Sequence, residues 1–269
     1  MTRLCIFGTS HIAAPRLAYQ SEPGRWPDLD VTFVGATGQH LLAHRIVDGV
    51  MHPATSKLAG YFQMTAGADT LDLHSFDAFA LIGCHIGPHM IGHIYGQARW
   101  CALRSVKRKK PGPDAGYALI SEAMLDALLQ YRVANAVGGE LARALRAVSD
   151  KPIMLSSAPR PSSELMEMRR HKLIAQKWAI RKADAQHLSR RFETLTRSYF
   201  AEHDVAYLPQ PSQTIERHLL TREAYVLGAI RLTADGKTPQ PDGDIMHGNR
   251  LYGEAVLDQI SAALAHVEE

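Results

Sequence analysis

The sequence predicts an α/β protein built on a five-stranded parallel sheet with helices on both faces. Three observations predict it. Residues 4–7, 31–34, 77–82, 152–155 and 205–208 are short apolar runs with the length and side chains of buried strands. The first three are each followed by a glycine: Gly8, Gly35 and Gly83. Helix-compatible segments separate the runs, and parallel strands need such crossovers.

Taken in order, the run 4–7 ends in Gly8-Thr9-Ser10-His11, a strand-to-turn junction. Residues 11–20 have helical spacing through Ile12, Ala13, Leu17 and Ala18, with Pro15 confined to a first turn or a kink. Pro23, Gly24 and Pro27 make a loop. The second strand runs into Gly35-Ala36-Thr37-Gly38, and residues 55–67 carry no clear signal. Residues 84–96 are rich in Gly and His and read as a functional loop. A basic loop follows at 107–113.

Ser121 caps a helix that places Met124, Leu125, Leu128 and Leu129 on one face. Gly138 and Gly139 interrupt it, and residues 140–148 resume it. The fourth strand ends in Ser156 and Ser157. Residues 164–200 form a long polar helical region dense in Arg and Lys, read as an insertion or lid extending to about residue 203, or as an arm for a homodimer. Residues 210–243 are mixed and partly loop, and 251–267 form a closing amphipathic helix. No internal repeat or low-complexity segment breaks this single domain.

Composition narrows the function. The chain has 269 residues, 46% of them hydrophobic, which suits an ordinary globular core. A net charge of +3 gives no reason to invoke nucleic acid. Three cysteines support neither a disulfide framework nor a Cys-rich zinc pattern, and they fit a reducing, cytoplasmic compartment. The first strand starts too early to leave a signal peptide before it. No apolar run approaches the ~20 residues of a membrane helix. The expectation is a soluble protein with no membrane partner and no cofactor.

The chemistry centres on Ser10. Open parallel sheets carry ligands at the carboxyl ends of their strands, and Ser10 lies there. A serine becomes a nucleophile when a neutral imidazole takes its proton and a carboxylate orients that imidazole. Asp244 and His247, three apart just before the last helix, offer the pair. The alternative is that Asp244 caps the helix and His247 is a surface residue.

Gly8-Thr9-Ser10-His11 resembles the first sequence block of the SGNH/GDSL hydrolases, and Asp244-Ile-Met-His247 resembles their last. His247-Gly-Asn249-Arg-Leu-Tyr252-Gly253 is similar to small SGNH-like proteins found with bacterial surface-sugar genes. The resemblance implies a flavodoxin-like α/β/α sandwich and a serine esterase acting on O-acyl esters, plausibly of sugars. It assigns Ser10 as nucleophile, His247 as base and Asp244 as orienting acid. Ser10 and Gly38 N–H groups would hold the oxyanion, with Gly35 second to Gly38. The family's third block is Gly-x-Asn-Asp, but here it reads Gly83-Cys84-His85-Ile86, so His85 stands where the amide donor belongs. Losing one such donor costs ~10²–10³ in rate. An O-acyltransferase and a non-catalytic glycan-binding protein are therefore alternatives.

His11, Gly83, Cys84, His89 and Asn249 are candidate substrate-binding residues. His85, His89 and His93 are spaced four apart, a metal-binding pattern on a helix, but Gly87, Pro88 and Gly92 argue against a helix and no carboxylate is near. No metal is expected, and a metal-binding protein is the lowest alternative. The basic residues between Arg169 and Arg191 read as a solvated face, with an anionic substrate or carrier as the sharper alternative. No aromatic interleaving supports nucleic acid. Cys84 is a buried thiol or a nucleophile, and Ser156 and Ser157 are a lower-ranked second nucleophile site.

Overall fold

The computed structural model describes residues 1–107 and 116–266. The rest of the basic loop, Arg108 to Pro113, and the end of the closing helix at Val267 lie outside these described residues.

Five parallel strands form the central sheet: β1 (Thr2–Gly8), β2 (Leu29–Gly35), β3 (Ala78–Gly83), β4 (Ile153–Ser157) and β5 (Ala206–Leu208). Their spatial order is β2-β1-β3-β4-β5, the doubly wound order of flavodoxin-like sheets. In register, Gly8 pairs with Gly35 and Ile82, and Gly83 pairs with Ser157. The strands thus end at one level, and the loops that follow gather at one edge.

Strand alternation divides the core in two. Leu4 and Ile6 of β1 face a cluster with Val256, Leu257 and Ile260 of the last helix. Cys5 and Phe7 face the other way, into a larger cluster with Leu129, Leu141 and Phe192. A parallel sheet covered on both faces is compatible with a three-layer α/β/α sandwich.

Besides a short helical turn at Arg104–Lys107, the helices are α1 (Ala13–Ser21), α2 (Ser56–Ala66), α3 (His89–Tyr95), α4 (Glu122–Ala134), α5 (Val137–Arg146), α6 (Ile174–Arg181), α7 (Ala185–Ala201) and α8 (Arg250–Ala265). A 3₁₀ turn, Ser10–Ile12, runs directly into α1, so Ser10 opens the helix. Helix α8 packs along α1, and Gly253 makes this possible: a Cβ there would sit 2.2 Å from the carbonyl oxygen of Ala14. That close approach ties the segment after β1 to the segment before α8.

Several local expectations change. The region 55–67 holds α2 and its caps, and the N-cap Thr55 accepts a hydrogen bond from the Leu58 N–H. A small antiparallel sheet (His44–Val47, Val50–Pro53 and Leu71–Asp72) lies beside it. Gly138 and Gly139 do not interrupt a helix. They lie in the first turn of α5, where a Cβ on Gly139 would meet the Val133 carbonyl at 2.2 Å. On α4, Leu125, Leu129 and Val133 are buried, whereas Met124 faces solvent.

The helical region 164–200 divides into α6 and α7. Leu188, Phe192 and Phe200 of α7 are fully buried in the larger core cluster, so α7 covers the sheet. The stretch that borders the cavity described next is the loop just before α6, at Lys172 and Leu173.

Candidate active site

The N–H groups that open a helix have no intrahelical partner, and Ser10 presents one of them beside its hydroxyl. The Ser10 Oγ lies 2.9 Å from His247 Nε2. The other ring nitrogen, His247 Nδ1, lies 2.8 Å from Asp244 Oδ2. When Nδ1–H donates to the carboxylate, Nε2 is free to accept the serine proton. The sequence-predicted Ser10, His247 and Asp244 therefore meet, although Ser10 and His247 are 237 positions apart.

The loop carrying the pair is fixed from several sides. The Ser162 N–H donates to the Ile245 carbonyl at 2.7 Å. Ile245 itself is buried with Leu165, Leu173 and Leu220. The Met246 N–H donates to Asp244 Oδ1, closing a turn over the carboxylate. Burial raises the Asp244 pKa, but the His247 hydrogen bond and charge outweigh it, and the net shift is downward.

Ser10, His247 and Asp244 line a cavity of about 380 Å³. This lies in the range of small-molecule sites. Its remaining wall is rich in imidazole: His11, His85, His89 and His93. Burial lowers the pKa of all four. For His11 the His247, His89 and His85 rings add to burial, and for His89, pushed down to about 3, the His93 ring does. These rings are neutral near pH 7. The His11 Nδ1 is sealed from solvent without a hydrogen-bond partner, as is the Thr9 Oγ1, and both residues border the cavity.

The histidine-rich segment is partly helical. His89 and His93 are one turn apart on α3, their rings 5.7 Å apart and edge to face. Pro88 is no obstacle because it occupies the N-cap, and Gly92 lies where a Cβ would come 3.0 Å from Gln176. Among the described residues, no group of three or more His, Cys, Asp or Glu side chains could hold a metal ion.

Before α3 the backbone is strained. Gly83, Cys84 and His85 all have positive φ (73°, 42° and 61°). Non-glycine residues seldom adopt this region, and such strain gathers at functional sites. The Ile86 N–H donates to the Gly83 carbonyl and the Gly138 N–H to that of Cys84, so the turn is held at both ends. At Gly83 a Cβ would come within 2.7 Å of the His11 ring. The turn projects His85 into the cavity and Cys84 away from it.

No protein-family model and no curated protein matches this chain.

The other sequence-predicted site residues take structural places. Cys84 is fully buried, and burial pushes its thiol up to about 12, so it is no nucleophile. Ser156 and Ser157 are sealed within the sheet. Gly38 sits in the turn after β2, outside the cavity lining, as do Gly83 and Asn249. Asn249 caps α8: its Oδ1 accepts from the Tyr252 N–H, and its Nδ2 donates to the carbonyls of Ala224 and Leu227. Thr9, Ala158, Lys172, Leu173 and Met246 also line the cavity, and sequence reasoning missed them as site residues. A hydroxyl beside Ser10 was the only signal, and it pointed to Thr9.

Proposed function

We propose that this protein is a serine acyl hydrolase of the SGNH type, acting on O-acyl esters, with acylated sugars as the favoured substrates. The observation that carries the reading is the unbroken chain from the Ser10 hydroxyl through His247 to Asp244, at 2.9 and 2.8 Å. Three free cysteines, two of them buried, suit the cytoplasm as its compartment.

Ser10 Oγ attacks the acyl carbon as its proton passes to His247 Nε2. The imidazolium is stabilised by the Asp244 carboxylate. The carbonyl oxygen becomes an oxyanion, and the Ser10 N–H and a His85 ring N–H donate to it. The tetrahedral intermediate collapses, the C–O bond to the alcohol breaks, and the alkoxide leaves with the proton from His247. Water, deprotonated by His247, then frees the acid from Ser10.

The test is a fluorophosphonate probe together with p-nitrophenyl acetate hydrolysis. Labelling and turnover that vanish in Ser10→Ala support the reading. Equal turnover by Ser10→Ala overturns it. No labelling of folded wild-type protein points instead to a non-catalytic binding protein.

A further inference from the structure

Beyond the triad, the cavity has an unbalanced charge. Among the described residues, Asp244 is the only carboxylate on its wall, and it is engaged by His247. Lys172 borders the same cavity, and no carboxylate pairs with it among the described residues. The positive charges of Lys172 and Arg132 both act on His89 and His93. The imidazoles nearby are neutral, and each carries one N–H donor. A cationic ligand would be repelled by the Lys172 ammonium. A neutral ligand would gain nothing from the Lys172 ammonium. An anion meets an ammonium and several N–H groups at once, the arrangement that recognises carboxylates and phosphates.

We infer that the ester taken by this site carries a compact anion, a carboxylate or phosphate, seated at Lys172 beside His89 and His93. The inference rests on the esterase reading and narrows it to acidic esters. The scissile carbonyl sits at Ser10, and the negative group reaches Lys172 on the wall of the same cavity. Substrate charge sets binding here, so selectivity appears in KM. Lys172 is exposed, so salt weakens the preference.

Two pairs of esters test it. The mono-p-nitrophenyl ester of succinic acid against p-nitrophenyl butyrate puts the anion on the acyl side. Then 4-acetoxybenzoate against phenyl acetate puts it on the alcohol side. In at least one pair, the anionic-to-neutral ratio of kcat/KM should fall about fivefold in Lys172→Met. It should fall further in Lys172→Glu and be largely kept in Lys172→Arg. A ratio that none of these variants changes in either pair overturns the inference and leaves the esterase reading intact. If wild type hydrolyses no ester and takes no fluorophosphonate, the esterase reading fails, and calorimetry with succinate and inorganic phosphate decides the anion site alone. Binding lost in Lys172→Met supports it, and no binding to wild type overturns it.

Discussion

The His11 and His247 rings lie 5.0 Å apart, centroid to centroid, at an interplanar angle of 31°. The His11 ring packs against the His247 ring, and its Nδ1 is sealed without a partner. His11→Phe keeps the ring and removes a buried polar atom without a partner, a defect that costs about 1–3 kcal/mol. This variant should melt no lower than wild type and keep ester hydrolysis within about tenfold. His11→Ala leaves a gap beside His247 and should lower kcat by up to about 10²-fold. Melting curves and kcat for the two variants check the pair.

His85 is expected to supply one donor to the oxyanion. His85→Ala should lower kcat by about 10²–10³ with little change in KM. His85→Asn should recover much of that loss, because an amide N–H replaces the imidazole N–H. Asparagine also tolerates the left-handed backbone that His85 adopts at φ 61°. Steady-state kinetics of both variants decide this.

Acid should destabilise the fold through the histidine wall. The His89 pKa falls from 6.5 to about 3, first because of burial and then because of His93 and His85. Above 6.5 the ring is neutral whether the chain is folded or not, and titration adds nothing. Below 6.5 the unfolded chain takes up a proton that the folded chain refuses, until the pH reaches about 3. Stability therefore drops across that window, by up to about 1.4 kcal/mol per pH unit. Removing the ring in His89→Gln should make the fall in Tm between pH 7 and pH 5 shallower by about 3 °C. Thermal melts at the two pH values check it.

Gly253→Ala should damage stability and activity together. Its new Cβ would press on the Ala14 carbonyl at 2.2 Å and force α1 and α8 apart. Overpacking of this kind costs about 1–3 kcal/mol. Because Ser10 opens the helix that continues as α1 and His247 precedes α8, the same shift stretches their hydrogen bond. Denaturant unfolding and kcat should fall in parallel, whereas a surface control such as Leu227→Ala should change neither.

The five strands and the Asp244–His247 pair were legible because each rests on local pattern. Apolar runs closed by glycine mark β1 to β3, and Asp244 and His247 are near neighbours in sequence. The rest depends on packing. Helix α3 hides its signal behind Pro88 and Gly92, whose meaning changes once Pro88 is a cap and Gly92 faces Gln176. The core role of α7 was masked by the many charges between Leu188, Phe192 and Phe200. The left-handed run at Cys84 and His85 has no composition that announces it. Lys172 reaches the cavity only through the path of the chain before α6, and no spacing rule connects it to Ser10.

On the proposed esterase function, the close approach at Gly253 also fixes when the chemistry begins. A nascent chain displays Ser10 early, yet its partner His247 is 237 positions later and is docked by a helix still to come. Throughout synthesis the hydroxyl is as inert as any surface serine. Ser10 and His247 meet only once the ribosome has released enough chain for the last helix to seat against the first.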